Sequence, residues 1–174
     1  MKILVTYATW TGATHEVADF IANVLREGNV SVDVAKAGDV KTLEGYDAVI
    51  MGTSAHMGKV PAEAAGFARK HKAALLRLPV AEFIVCLTMS EDTPEHRCTA
   101  EGYLEQINKE APGLKRVDVG LFGGAVLKNT EDLKKLNPIA RGMASAMKDI
   151  PDGRDWDGIR AWAAGLPAKL EPVA

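Results

Sequence analysis

A short loop near the N-terminus carries the residues best suited, by type and spacing, to binding a ligand. It follows an apolar segment that ends at Tyr7, and it reads Ala8-Thr9-Trp10-Thr11-Gly12-Ala13-Thr14. Three threonine hydroxyls, with a glycine between the last two, can wrap a phosphate group. The helix expected to follow would add free N–H groups and the positive end of its dipole. We therefore predict that this first loop (residues 8–14) binds a phosphorylated ligand.

The residue types exclude other common phosphate loops. A nucleoside-triphosphate loop requires a lysine after its last glycine, where this chain has Ala13. A dinucleotide fingerprint requires three glycines, whereas the loop has only Gly12. A receiver domain requires an acidic pair after the first strand and an aspartate ending the third, where Thr53 stands. A low-molecular-weight tyrosine phosphatase requires a cysteine and an arginine, and this loop contains neither. A hydroxyl-rich loop without a cation remains.

A few other side chains could do chemistry. His56 lies after the third predicted strand, where it could act as a general acid or base or contact a substrate, although it could equally face solvent. Lys59 follows closely, and a solvated lysine explains it more simply. His96 and Cys98 are two residues apart, but a pair without a second cluster is a poor ligand set. We therefore predict no metal site.

Alternating strand-like and helix-like segments must position these residues. Short apolar segments predict strands at Lys2–Tyr7, Val30–Ala35, Ala48–Thr53, Ala81–Thr88 and Lys115–Phe122. Amphipathic or capped segments predict helices at Ala13–Glu27, Pro61–Leu76, Glu95–Glu110 and Asp155–Leu166. We also expect a short helix before the third strand, and a helical segment over Leu133–Lys148 that is broken near Pro138. This alternation favours an α/β fold with a doubly wound parallel sheet and helices on both faces.

Length and composition favour one soluble domain over residues 1–174. A chain of 174 residues is long enough for one core and too short for two ordinary domains. Its net charge of −2 offers no basic field to nucleic acid, and its apolar runs are too short to cross a bilayer. Lys134, Lys135 and Arg141 could contact a membrane surface, although a solvated helix explains them as well. Two cysteines fit a reducing compartment, so we expect a cytoplasmic protein.

The order of these motifs resembles the flavodoxin family. Thr9-x-Thr11-Gly12-x-Thr14, directly after a first strand, is similar to the FMN-phosphate loop of flavodoxins. Three later motifs resemble a branch that includes the menaquinone-dependent protoporphyrinogen dehydrogenases: Gly52-Thr53-Ser54-Ala55-His56-Met57-Gly58, Phe122-Gly123-Gly124-Ala125 and Gly153-Arg154-Asp155-Trp156-Asp157. The resemblance implies a five-stranded flavodoxin-like sheet of order 2-1-3-4-5 and FMN as cofactor.

The resemblance also implies roles for individual residues. The phosphate would be held by the first loop: Thr9, Trp10, Thr11, Gly12, Ala13 and Thr14. One side of the flavin ring would be lined by the second loop, which consists of Ser54, Ala55, His56, Met57 and Gly58. The other side would be lined by the third loop, which consists of Thr88, Met89, Ser90 and Glu91. His56 is the implied catalytic side chain. Many carrier flavodoxins place aromatic rings on both sides of the flavin, whereas the second and third loops contain neither Trp nor Tyr.

Two functions follow, and a third stays open. An FMN-dependent oxidoreductase would pass electrons between a donor or quinone and a small organic substrate, with protoporphyrinogen as the family precedent. A non-catalytic carrier would dock on a redox partner protein. Carriers are generally strongly acidic, so a net charge of −2 slightly favours the oxidoreductase. However, the stretch between Ala125 and Ile150 does not match the long insertion of the quinone-linked dehydrogenases. The third function is an interaction module that has lost FMN.

Overall fold

The computed structural model describes residues 1–147 and 149–171 and contains a five-stranded parallel sheet. Its strands are β1 (Lys2–Tyr7), β2 (Ser31–Lys36), β3 (Ala48–Ser54), β4 (Val80–Cys86) and β5 (Arg116–Gly123). Their order is β2-β1-β3-β4-β5, and all neighbouring pairs run parallel. This confirms the predicted doubly wound sheet and strand order. The fourth strand ends earlier than predicted because residues Leu87–Ser90 turn into a 3-10 helix.

The helices cover both faces of the sheet. They are α1 (Ala13–Glu27), α2 (Ala62–Leu75), α3 (Pro94–Asn108), α4 (Glu131–Lys135), α5 (Pro138–Ala146), α6 (Trp156–Gly165) and α7 (Pro167–Leu170). The expected break near Pro138 is present: the proline begins α5, and the Asn137 side chain accepts a hydrogen bond of 2.9 Å from the Ala140 N–H. Lys148, the predicted end of this segment, lies outside the described residues. No helix within the described ranges is long and apolar enough to span a membrane.

The short helix predicted between β2 and β3 is absent, and residues 37–47 form turns instead. One turn is closed by the Asp39 N–H, which donates to the Lys36 carbonyl at 3.0 Å. Gly45 has a φ of +84°, a left-handed conformation that an α-helix does not contain. The predicted short helix is therefore wrong: Val40 and Leu43 are buried against the sheet from a loop, without a helical turn.

Two apolar layers hold the fold together, one on each face of the sheet. In β4, Phe83 and Val85 face the layer that contains α1 and α6, whereas Ile84 and Cys86 face the layer that contains α2 and α3. Strands buried on both faces are expected to be mostly apolar, and β4 is apolar except for the buried Glu82. Trp162 of α6 packs edge-on against Phe122 of β5 with ring centroids 5.4 Å apart.

The sheet topology brings three loops to one edge. Because all strands run in the same direction, the segments that follow β1, β3 and β4 leave the sheet at its carboxyl edge. The strand order reverses between β1 and β3, so this is the topological switch point at which open α/β sheets bind ligands. The first loop is tied to β3 there, since the Ala8 N–H donates to the Gly52 carbonyl at 2.9 Å.

Candidate functional site

The first loop turns sharply into α1 at Gly12. This glycine has a φ of +102°, and its N–H donates to the Thr9 hydroxyl at 3.0 Å. Among the described residues, no side chain caps the N-terminus of α1. The first N–H groups of the helix therefore lack the acceptor that a capping residue would supply, and they remain available to an anion.

Two buried hydroxyls lie beside this helix N-terminus. Thr14 is fully buried and Ser54 is 8% exposed. Neither hydroxyl oxygen has a hydrogen-bond partner within residues 1–147 and 149–171. Both line one small cleft of about 40 Å³, room for roughly three water molecules or one phosphate-sized group. Unpaired buried hydroxyls cost free energy. A ligand with acceptor oxygens would remove this cost by accepting hydrogen bonds from the two hydroxyls.

Trp10 and His56 form a stacked pair at the mouth of the cleft. Their ring centroids are 3.7 Å apart and their planes differ by 16°. The turn that holds His56 is closed by two backbone hydrogen bonds with Lys59, of 2.9 and 3.0 Å. Burial lowers the pKa of His56 below its usual value, so the imidazole is neutral near pH 7. The sequence identified both residues but not their contact, which joins the first and second loops.

An apolar groove lies on the outer side of this pair. It has a volume of about 500 Å³, and its lining includes Trp10, His56, Met57, Pro61 and Leu136. Met57 is 75% exposed and adopts a φ of +50°. An exposed methionine beside aromatic rings gives an adaptable apolar surface, suited to a flat ligand or to the apolar surface of a partner protein.

The other residues of the second loop are divided between the cleft and the surface. Ala55 lines the small cleft together with Ser54. Gly58 has a φ of +76°, and its carbonyl accepts a hydrogen bond of 2.8 Å from the Gln106 side chain of α3. Helix α3 therefore fixes the outer end of this loop.

The third loop is placed differently from the other two. Met89 is buried, and together with Ser90 it lines a separate cavity beside β5. The Thr88 hydroxyl lies 3.5 Å from the Tyr103 hydroxyl, and the Glu91 carbonyl lies 2.8 Å from Nδ1 of His96. The small cleft is lined by Cys86 and Leu87, which precede the third loop, and not by the third loop itself. The flavin-lining role of the third loop stays a prediction from the resemblance.

A segment after β5, residues 127–136, lies against the first loop. The Thr130 hydroxyl donates to the Thr11 carbonyl at 2.7 Å, and the Leu127 N–H donates to the Thr11 hydroxyl at 3.3 Å. The buried Asp132 forms an ion pair with Lys36 at the end of β2. This support could not be predicted from the sequence, because Thr130 caps α4 locally and its contact with Thr11 spans 119 positions of the chain.

The sheet order, the first loop and the switch-point cleft together define a flavodoxin-type protein, and the chain belongs to the flavodoxin domain family, whose model matches residues 4–155. Among curated proteins, the protoporphyrinogen IX dehydrogenase (quinone) of Escherichia coli K12 is 32% identical over 99 residues, which cover 56% of this chain and 54% of that protein. The same identity and coverage hold for the enzyme of E. coli O157:H7. The chain thus spans about half the length of the curated relatives it matches.

Solved structures show the same fold. The flavodoxin of Fusobacterium nucleatum bound to flavin mononucleotide aligns with a TM-score of 0.55 at 12% identity, covering 98% of this chain and 99% of that one. Oxidised flavodoxin 1 of Bacillus cereus aligns with a TM-score of 0.52 at 23% identity, covering 87% and 100%. The rubredoxin oxygen:oxidoreductase of Desulfovibrio gigas aligns with a TM-score of 0.53 at 17% identity, covering 84% of this chain and 36% of that one.

Proposed function

We propose that this chain binds FMN and acts as a flavodoxin-type oxidoreductase. The observation that carries the proposal is the uncapped N-terminus of α1 beside the unpartnered hydroxyls of Thr14 and Ser54, at the switch point of a flavodoxin-family sheet. Helix N–H groups and hydroxyls without a nearby cation suit a phosphate held in the interior of a fold.

The chain's own residues would divide the work between the two ends of the ligand. The first loop, Thr9 to Thr14, would hold the phosphate, with Gly12 setting the turn and Thr130 holding the Thr11 carbonyl in place. The second loop, Ser54 to Gly58, would line the flavin ring. FMN, when bound, supplies hydride and single-electron chemistry without a protein nucleophile. His56, neutral near pH 7, could hold or accept a proton at its imidazole.

The apolar groove is the proposed contact surface for the electron donor or acceptor. Its apolar lining and its rim cation Lys59 suit a flat organic substrate, such as a quinone, that carries a partial or full negative charge. The E. coli relatives are named as quinone-linked protoporphyrinogen IX dehydrogenases, which supports an enzymatic role for this chain. A porphyrin-type substrate is part of the proposal.

A carrier function is the second candidate. Met57 and Ile139 are 75% and 78% exposed, which is unusual for large apolar side chains and suits docking on a redox partner protein. We also propose that residues 1–174 act as one domain in the cytoplasm. The described strands share one sheet and both cysteines are free, as a reducing compartment favours.

A matched pair of variants tests the phosphate site. Thr14→Val removes a hydroxyl at nearly constant volume, and Thr6→Val removes another buried, unpartnered hydroxyl that does not line the cleft. A hydrogen bond to a charged group contributes about 1.5–3 kcal/mol, so Thr14→Val should weaken FMN binding roughly ten- to hundredfold. Thr6→Val should leave it unchanged. Binding is followed by quenching of flavin fluorescence.

The same titration decides among the functions. The oxidoreductase is supported if FMN binding is saturable and if, under anaerobic conditions, the FMN-loaded protein turns over quinones or porphyrinogens. Binding without turnover of any small substrate, but with electron transfer to partner proteins, supports the carrier. If the unmodified protein binds no FMN even at excess, both functions are refuted and the interaction module remains.

A further inference from the structure

A further cavity, called here the basic cavity, lies at the opposite end of the molecule from the candidate flavin loops. It is formed by the C-terminal half of α2, by residues 77–78 after this helix and by residues 41–46 before β3, and its volume is about 580 Å³. Helix α2 runs back from the carboxyl edge of the sheet to the amino edge, because it connects two parallel strands. This basic cavity is therefore separate from both the small cleft and the apolar groove.

The charges around the basic cavity are mostly positive. Lys41, Lys70 and Arg77 line it, and Glu44 is the one acidic residue in its lining. Within the described part of the chain, none of the three cations forms a salt bridge with a carboxylate. Lys70 is held in place by a hydrogen bond of 2.7 Å from its ammonium to the Val40 carbonyl. The cavity thus gathers positive charge that the protein itself does not neutralise.

His71 provides a second, independent feature of the same cavity. It lines the cavity, yet its side chain is only 8% exposed. Its Nε2 is shielded from solvent and has no hydrogen-bond partner among residues 1–147 and 149–171. Burial is the main cause that lowers the pKa of His71; the backbone of Val40 opposes this effect, and the charge of Lys70 adds to it. A buried imidazole nitrogen without a partner is costly unless a ligand or water satisfies it.

We propose that the basic cavity binds a phosphate monoester of a small organic molecule. The arginine fork and the two ammonium groups match a dianionic phosphate, and the Nε2 of His71 would share a proton with one of its oxygens once the ring turns toward the cavity. Inorganic phosphate alone would leave much of the volume unfilled, since cavities of about 300–1,000 Å³ typically hold drug-sized ligands. The rest of the lining suits an organic group, because Leu43, Tyr46 and Leu78 offer apolar surface.

Site-resolved NMR tests this proposal on the full chain. Amide signals are followed during titration with phenyl phosphate, and separately with inorganic phosphate and with phenol. We expect saturable shifts of residues 41–46 and 70–78 with phenyl phosphate, weaker binding of inorganic phosphate, and no saturable shift with phenol. Because protonation of His71 would strengthen its contact with the phosphate, its pKa should rise when phenyl phosphate is bound.

Charge variants locate the contacts. The double variant K70Q/R77Q should weaken phenyl phosphate binding about tenfold or more, since each cation makes a charge-assisted hydrogen bond. Lys72→Gln is the matched control, because Lys72 is an exposed lysine of the same helix that does not line the cavity. If K70Q/R77Q misfolds, the single variant Lys41→Gln, on the facing loop, tests the same contact.

Four outcomes overturn the proposal. The first is that phenyl phosphate shifts only the first loop, residues 8–14. The second is that Lys72→Gln weakens binding as much as the double variant does, which means unspecific charge attraction. The third is that inorganic phosphate binds as tightly as phenyl phosphate, so that the organic group adds nothing. The fourth is that phenol binds as well as either. None of these readouts depends on FMN, so they are independent of the proposed oxidoreductase function.

Discussion

Gly12 offers the sharpest test of how the first loop is built. An alanine there meets two separate costs. Its φ of +102° is a conformation that an L-residue adopts only at a cost of about 1–2 kcal/mol. Its added Cβ would also lie 3.1 Å from Cγ2 of Thr130, inside the usual carbon–carbon contact distance of about 3.5–4.0 Å.

Gly45 separates these two costs. It has a similar φ of +84°, and an added Cβ there would meet nothing within 4 Å. Gly45→Ala should therefore report backbone strain alone, partly offset by about 0.4–1 kcal/mol from the stiffer unfolded chain. We expect a destabilisation of about 1 kcal/mol for Gly45→Ala. Crowding of Thr130 should add about 1–2 kcal/mol at Gly12.

Urea denaturation measures the difference. With a slope of about 1–3 kcal/mol per molar urea, Gly12→Ala should lower the unfolding midpoint by roughly 1 M, and Gly45→Ala by about half of that or less. Adding Thr130→Ser to Gly12→Ala removes the crowding methyl but keeps the hydroxyl that holds Thr11. The double variant should therefore recover part of the crowding cost, since Cβ of residue 130 still lies 3.3 Å from the added Cβ, but none of the backbone cost. Equal destabilisation by the two glycine variants, or no recovery in the double variant, refutes this account.

Two further predictions concern pH. Burial raises the pKa of Glu82 to about 7. Arg116 opposes this shift, since its Nη1 lies 3.3 Å from Oε2 of Glu82, but burial has the larger effect. The folded state therefore favours the protonated acid. The free energy of unfolding should therefore fall by an amount on the order of 3 kcal/mol as the pH rises from about 4.5 through 7. In urea denaturation from pH 5 to 8.5, the unfolding midpoint of Glu82→Gln should depend less on pH than that of the unmodified protein. An equal fall in the variant would contradict the assignment to Glu82. Protonated His56 should quench Trp10, because the two rings stack. The emission of Trp10 is the difference between the emission of the unmodified protein and that of Trp10→Phe. As the pH falls, this emission should decrease with a midpoint below about 6.5. If the Trp10 emission still depends on pH in His56→Gln, His56 is not the cause.

Much of the fold could be predicted from the sequence because it depends on local periodicity. The three-and-four spacing of Val17, Ile21, Val24 and Leu25 predicted the buried face of α1, which begins and ends at the predicted residues. The apolar strands predicted a sheet covered on both faces. The first loop was also recognisable, since its hydroxyls and glycine stand next to each other in the chain.

The features that the sequence did not reveal depend on contacts between distant segments. The stacking of Trp10 on His56 joins loops that follow different strands, and the hydrogen bond from Thr130 to Thr11 joins opposite parts of the chain. The incorrect short helix before β3 has the same cause, because Val40 and Leu43 are apolar to cover the sheet. The basic cavity escaped notice because its cations come from the loop before β3, from α2 and from the segment after α2, which meet only in the folded protein.

The support of the first loop by Thr130 and Leu127 has a consequence for the order of folding. The loop itself is made within the first fourteen residues, but its carbonyl and hydroxyl at Thr11 are fixed only by residues more than a hundred positions later. Contacts so distant in sequence form late, because a long stretch of chain must be ordered before they can be made. During synthesis, the first loop can therefore reach its final shape only after β5 and the residues that follow it have emerged. Binding of the proposed FMN phosphate at this loop would therefore report whether the whole sheet has been completed.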